Sequence, residues 1–293
     1  ENPHQKASIY SLEGIPFNEQ LKKIQGKELS FNNILDIQAG IRIFSDFREP
    51  CSVVIKHNSP CGLSVDRNLI EAYRRAYKTD KISSFGGVVG FNRKVNKEVA
   101  EEVVRSGFRE VVFAPSFTKG AINVFSQKSH LIVCEVKSNT KKLLWDMRQI
   151  NGGFLLQERD TLICKSDLLK FPTFKKPNRK MLEELLFAFK VVKHLKSNAI
   201  AITKGKTTLG LCGGQPSRID AVKIAIKKAL NTRGAVLASD AFFPYSDSIE
   251  EAYRAGIKAV IQPGGSKKDK EVIEACNKYG IVMVFTGIRH FLH

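Results

Sequence analysis

Ser83-Ser84-Phe85-Gly86-Gly87-Val88-Val89-Gly90-Phe91, then Lys97 to Arg105, then Glu110-Val111-Val112-Phe113-Ala114-Pro115 is the stretch that decides the fold class. The first segment reads as a glycine-rich strand. Val99, Val103 and Val104 give the second an apolar face, and the third is a short apolar run stopped by proline, as a buried strand would be. Strand, amphipathic helix and strand in succession predict a mostly parallel sheet covered by helices. Upstream, Cys51-Ser52-Val53-Val54-Ile55 is strand-like and Glu71 to Lys78 helical; downstream, His130 to Val136 repeats the rhythm. Trp145 to Phe154 reads as a strand and turn leading out of this first half.

Phe171-Pro172-Thr173-Phe174-Lys175-Lys176-Pro177 is basic and proline-bounded, which places a linker at 166–178 between subdomains at 1–165 and 179–293. Arg179 to His194 carries Leu182, Leu185, Leu186, Phe189 and Val192 on one apolar stripe. Ala199 to Ile202 and Thr208 to Leu211 flank the turn Lys204-Gly205-Lys206 and read as a hairpin. Helices at Arg218 to Leu230, Ser248 to Ala255 and Asp269 to Tyr279 then alternate with strands at Ala235 to Ala238, Ala259 to Ile261 and Ile281 to Phe285. Each half sets a polar segment at or after a strand, Ser83-Ser84-Phe85-Gly86 in one and Ser239-Asp240-Ala241-Phe242 in the other, as a duplicated subdomain would. The fold class is α/β, with mostly parallel mixed sheets flanked by helices.

At 293 residues, 43% hydrophobic and 26% charged, the chain has the composition of a soluble globular protein large enough for two subdomains. No apolar run approaches the roughly 20 residues of a membrane-spanning helix. No initiator Met or secretory leader opens it, so the chain is expected to begin inside a longer one. Six cysteines without a Cys-x-x-Cys pair argue for reduced thiols and a cytoplasmic location. The formal charge of +18 calls for anionic partners, but the basic residues are dispersed in pairs such as Lys22-Lys23, Arg74-Arg75 and Lys141-Lys142. A small anionic ligand accounts for the excess as well as nucleic acid does, and no nucleic-acid recognition motif is present.

Lys56-His57-Asn58-Ser59-Pro60-Cys61-Gly62 delivers a lysine and a histidine from a strand into a Pro/Gly turn. Neighbours on a continuing strand point to opposite faces, so both can reach one cavity only if the strand ends there. An adjacent ammonium favours the neutral, basic form of an imidazole, and Lys56 could offset negative charge on a substrate oxygen. Gly210-Leu211-Cys212-Gly213-Gly214-Gln215-Pro216-Ser217-Arg218 is a glycine-rich turn opening a helix, where free amides attract an anion and Arg218 could answer a phosphate. It is equally the turn of an ordinary strand–helix junction, and it lacks the ending of a P-loop. Asn198 reads structurally as a helix C-cap. Ser239 to Asp247 gathers three aromatics and two carboxylates past a strand end, suited to a flat heterocycle with N–H donors or simply to an anchored surface loop.

Long motifs connect these features. Asn2-Pro3-His4-Gln5, Lys56 to Gly62, Ala76-Tyr77-Lys78-Thr79-Asp80, Ser84-Phe85-Gly86-Gly87 and Asn151-Gly152-Gly153 stand in the first half. Lys196-Ser197-Asn198-Ala199, Gln215-Pro216-Ser217-Arg218, Ser239 to Pro244, Gln262-Pro263-Gly264-Gly265-Ser266 and Arg289-His290-Phe291 stand in the second. Together, in order and over nearly the whole chain, they resemble the AICAR transformylase domain of the bifunctional purine biosynthesis protein. The resemblance implies formyl transfer from 10-formyltetrahydrofolate to the ribonucleotide AICAR, giving FAICAR in de novo purine (IMP) biosynthesis. It also implies two cytidine deaminase-like subdomains and active sites shared across a homodimer. By the same resemblance, Lys56, His57 and Asn198 are catalytic, and His4, Asn33, Gly86, Arg218 and Phe242 meet the nucleotide. Phe85, Glu110, Asp247, Ser266, Arg289 and Phe291 would meet the folate. No metal ligand is implied, though the resemblance leaves room for a structural monovalent cation such as potassium.

Several positions depart from the family pattern. Glu110 stands where Asp is frequent, Ser246 where Arg is usual, and Leu211-Cys212-Gly213 replaces a commoner Ile-Gly-Ala. In that family an IMP cyclohydrolase domain and an Arg-Tyr-Gly stretch come ahead of the Glu1-Asn2-Pro3-His4 motif; neither lies within these 293 residues, so ring closure to inosinate is expected to fall outside them. Two other classes of protein would share part of this pattern. A zinc nucleobase deaminase would need His-x-Glu and Pro-Cys-x-x-Cys, whereas Pro60-Cys61 is followed by Gly62 and Leu63. A basic nucleic-acid-binding module would account for the charge alone.

Overall fold

The computed structural model describes residues 1–2, 4–11, 16–137, 145–164 and 166–293; Pro3, the Lys141-Lys142 pair and Lys165 lie outside these. A short helix α1 (Phe17–Gln20) leads into β1 (Leu21–Gln25) and helix α2 (Phe31–Phe44). The hairpin β2 (Cys51–Lys56) and β3 (Ser59–Val65) follows, then α3 (Leu69–Thr79), α4 (Lys81–Ser84), β4 (Val88–Phe91), α5 (Lys97–Arg105), β5 (Val111–Ala114), α6 (Lys119–Ser126) and β6 (Ile132–Val136). A separate hairpin, β7 (Trp145–Ile150) and β8 (Gly153–Glu158), precedes the second half. There α7 (Arg179–Val192), β9 (Ile200–Thr203), β10 (Thr208–Cys212), α8 (Arg218–Lys228), β11 (Val236–Ser239), α9 (Asp247–Arg254), β12 (Ala259–Gln262), α10 (Asp269–Tyr279) and β13 (Val282–Phe285) run to the tail. Local chemistry sets the helix starts. Ser30, Asn68, Asn96, Thr118, Asn178 and Ser217 each accept a hydrogen bond from a first-turn amide, meeting a donor the helix cannot satisfy itself.

The sheets are mixed, not mostly parallel. Their orders are β1-β6-β5-β4-β2-β3 and β10-β9-β11-β12-β13. Only β4-β5-β6 and β11-β12-β13 pair in parallel; the other pairings in both sheets are antiparallel. The reason is connection length. Short turns join β2 to β3 and β9 to β10, and a parallel crossover needs a dozen residues or more. The glycine-rich run from Ser83 forms strand only from Val88, since Lys81–Ser84 is helical.

Leaving out β1, the two sheets have one topology: a hairpin, then three parallel strands with helices between them. Their outer strands meet. Ser64 bridges Thr207 in antiparallel fashion, the Val65 amide donates to the Lys206 carbonyl at 3.0 Å, and the Leu63 amide donates to Thr208 Oγ1 at 2.8 Å. Each exposed edge thus covers the other. Strand alternation divides the core. Val53 and Ile55 face a cluster that joins Ile37 and Ile43 of α2 to Leu185 and Phe189 of α7, with Ala201 and Ile261. Val54 and Val112 face Tyr73, Val99 and Phe125 on the other side of the first sheet, and Ile202, Leu237 and Val260 face Val222, Ile249 and Val272 across the second. The proline-bounded stretch after residue 166 lies along β13, where Lys170 bridges Phe285 and Thr173 Oγ1 accepts from the Met283 amide.

The antiparallel junction runs β4 against β11. The start of β4, with the end of β2 beside it, therefore lies at the same end of the molecule as the end of β11 and the start of β9.

Candidate active site

Two groups of polar residues gather at that end. In the first, β2 stops at Lys56 and the chain reverses over His57 and Asn58 alone, with φ of 54° and 65°. Left-handed values at both central residues define the tight hairpin turn that matches strand twist. Pro60 and Gly62 therefore lie within β3 and do not form the turn. Lys56 Nζ donates to the Phe85 carbonyl at 2.9 Å, which fixes the ammonium toward the loop before β4, while His57 is exposed at the tip. Beneath the turn, Asp36 of α2 accepts from the Asn58 amide at 2.5 Å. Burial raises the Asp36 carboxyl above its ordinary range, against the pull of the Asn58 amide and of His57. Burial also pushes the Cys61 thiol up to about 12, so this motif offers no thiolate nucleophile near neutrality.

The Gly86 amide donates to the Phe108 carbonyl at 3.1 Å, and the rings of Phe85 and Phe108 pack 5.6 Å apart. Glu110 follows closely, its amide bound to the Gly87 carbonyl and its carboxylate 3.4 Å from Lys27 Nζ. Lys56, His57, Phe85, Gly86 and Glu110 therefore share one neighbourhood. Asn33 is buried on α2, where its side chain accepts from the Ser30 amide and closes a capping box. His4 is exposed in the N-terminal stretch.

The second group centres on Asn198, which lies beyond the helix that sequence would have it cap, since α7 ends at Val192. Its side-chain amide is fixed on both sides. Nδ2 donates to the Gln215 and Pro216 carbonyls at 2.8 and 2.9 Å, and Oδ1 accepts from Arg218 Nη2 at 2.7 Å. Arg218 is buried and paired with Asp240, and it also donates to Ser239 Oγ at 3.0 Å. Fully buried Asp240 also accepts from Ser197 Oγ at 2.5 Å and from the Ala199 amide at 3.0 Å. The tail closes over this network: the His290 amide donates to the Asp240 carbonyl and the Ser197 amide to the Leu292 carbonyl. Arg289 lies 4.4 Å over the Phe291 ring, with Phe291 and Phe242 both exposed. Asp247 accepts from Ser248 at the start of α9, and Ser266 accepts from the Lys268 amide.

Among the described residues no hydrogen bond or ion pair links the Lys56–His57 group to the Asn198–Arg218 group. Nor does any set of three or more His, Cys, Asp or Glu there form a metal site, and no helix is long and apolar enough to cross a membrane. Asp36 and the role of Asp240 escaped sequence reasoning. For Asp36 a signal existed: Asn33, Asp36, Ile37 and Gly40 share the buried face of α2, and a carboxylate on such a face needs a partner.

The architecture is that of a two-sheet α/β protein with paired polar clusters at one end. The AICARFT/IMPCHase bienzyme family matches residues 1–228, and the chain belongs to that family. Bifunctional purine biosynthesis proteins PurH are similar throughout: 49% identical over 300 residues in Caldicellulosiruptor saccharolyticus, 48% over 299 in Acetivibrio thermocellus and 46% over 303 in Persephonella marina. Each alignment covers 100% of this chain but 58% of the relative, so the chain spans well under two thirds of their length. A solved structure titled protein ybgI, of unknown function, aligns over 69% of this chain and 72% of its own at 10% identity, with a TM-score of 0.18, a likeness too slight to inform the fold.

Proposed function

We propose that this chain is the formyltransferase of its family, moving a formyl group from 10-formyltetrahydrofolate to AICAR and giving FAICAR on the route to IMP. The observation that carries the reading is the Lys56–His57 pair at an open hairpin tip, within a chain matched to this family over residues 1–228. The acceptor amine is a weak nucleophile because its lone pair is delocalised into the imidazole ring. His57 removes its proton as nitrogen bonds to the formyl carbon. Lys56, aligned by the Phe85 carbonyl, offsets the charge on the formyl oxygen. The bond from that carbon to the folate nitrogen then breaks, and the proton passes to the departing nitrogen. Asn198 holds the reacting groups. His4, Asn33, Gly86, Arg218 and Phe242 are assigned to the nucleotide, and Phe85, Glu110, Asp247, Ser266, Arg289 and Phe291 to the folate.

The shared strand order of the two sheets supports cytidine deaminase-like subdomains on either side of a linker at 166–178. A homodimer with shared sites fits two observations: no hydrogen bond or ion pair among the described residues links the two polar groups, and the β7–β8 hairpin leaves Trp145, Met147, Phe154, Leu155 and Leu156 exposed. A two-stranded hairpin is marginal in water unless something covers it. A cytoplasmic location follows from the pathway. A structural monovalent cation such as potassium belongs to the same reading, with no residues assigned to hold it.

Formyl transfer followed spectroscopically, for the parent and for His57→Ala, tests the reading. The variant should fold normally, since His57 is exposed, and should lose about 100-fold or more in turnover. Turnover within a few-fold of the parent would remove His57 from the chemistry.

A further inference from the structure

Among the described lysines and arginines, Lys193, Arg218 and Arg109 are buried. Lys193 faces Asp46 at 3.2 Å, and Arg218 faces Asp240. Arg109, only 3% exposed, has no carboxylate partner among the described residues. Its Nη1 donates to the Phe108 carbonyl at 2.6 Å and its Nη2 to Ser106 at 3.2 Å, and the guanidinium lies 4.7 Å over the Tyr77 ring. Its Nε has no hydrogen-bond partner. A guanidinium cannot shed its proton to relieve burial, and a buried charge without a counter-ion is costly. Its positive charge is thus left without an anion of its own among the described residues.

Arg109 lines a groove of about 230 Å³ at the ends of α5 and α6, with Val103, Leu131 and Phe108 as apolar wall and Lys128 and His130 beside it. That is smaller than the roughly 300–1,000 Å³ of drug-sized sites and suits a ligand with a single ring, and no carboxylate lines it. We propose that this groove binds an amphipathic anion, a carboxylate or phosphate carried on a flat apolar body. The anionic group lies against Arg109 and Lys128 and the body against Phe108 and Leu131. None of these residues belongs to the formyl-transfer assignment, so the two can fail separately. The groove nonetheless touches that site, because Phe108 holds the Gly86 amide and packs against Phe85 on one side and His130 on the other.

Titration calorimetry with phenyl phosphate, benzoate and benzyl alcohol tests this without any activity assay. Saturable, salt-sensitive binding of one or both anions, one per chain, is expected, with none for the uncharged alcohol; the preferred anion identifies the group recognised. Lys128→Glu is a surface change that leaves folding intact and should weaken binding about tenfold or more, as should Arg109→Gln if it folds. Lys267→Glu, in the other half, should not. No saturable binding to the parent, equal binding of the alcohol, or full affinity in Lys128→Glu would overturn the proposal.

Discussion

Asp240 governs how Asn198 is presented, although the two side chains do not touch. The carboxylate holds the Arg218 guanidinium, and Arg218 Nη2 holds Asn198 Oδ1, which leaves Nδ2 to the Gln215 and Pro216 carbonyls. Asp240→Asn preserves size but leaves Arg218 buried without a counter-ion, so urea unfolding should show a loss of about 3–5 kcal/mol. A loss below about 1 kcal/mol would mean that Arg218 finds another acceptor. The same variant should depress formyl transfer beyond its effect on the folded fraction, because Asn198 loses its anchor. Lys56 and His57 stood out in the sequence as polar residues at the end of an apolar run, whereas Asn198 read as a helix C-cap and drew attention only through the family resemblance. The pairing of Arg218 with Asp240 was not, since it depends on β11 and α8 meeting across a sheet whose order the local pattern does not reveal.

The hairpins explain why element types were easier to read than turns. Helices α5 and α7 follow directly from apolar spacing, and most starts are marked by a capping side chain. Pro60 and Gly62 looked like strand breakers, yet each serves the strand. Pro60 sits at an irregularity in register where Cys61 has no partner, a place proline can occupy in a sheet. Gly62 lets α3 approach, because a Cβ there would fall 2.0 Å from the Ala76 carbonyl oxygen. The second half repeats the device: Leu209 is unpartnered in β10, and a Cβ on Gly210 would fall 2.0 Å from the Ala225 carbonyl oxygen of α8. Equivalent glycines against equivalent helices are a stronger sign of duplication than the sequence itself offers. Gly62→Ala and Gly210→Ala should each cost about 1–3 kcal/mol, as overpacking does, measured by thermal or urea unfolding. A neutral result at only one site would show that the two helix–hairpin contacts are not equivalent.

At the scale of the whole molecule, the halves are fastened by charge as well as by edge strands. Asp46, just past α2, meets Lys193 at 3.2 Å and His194 at 2.8 Å at the end of α7, and Lys193 also donates to the Leu162 carbonyl. Burial pulls His194 below its ordinary value; Asp46 opposes this, while Lys193 and Arg42 reinforce it. For Asp46, burial alone would raise the carboxyl, but the His194 hydrogen bond and the Lys193 charge outweigh it and hold it low. Near neutrality the junction is therefore an Asp46–Lys193 ion pair with a neutral His194 donating to Asp46. Both groups bind protons less readily in the folded state than in the unfolded chain, so both make stability fall as pH falls. His194 acts first, from the ordinary histidine range of about 6.5 downward, and Asp46 follows below the ordinary carboxylate range of about 4. The free energy of unfolding should thus be at its plateau above pH about 7 and decline toward pH about 5. His194→Gln retains an N–H for Asp46 but cannot titrate. It should be less stable near neutrality because of imperfect packing, yet its stability should change less between those two pH values. Urea unfolding across that window separates the possibilities, and an undiminished slope in the variant would place the acid sensitivity outside this junction.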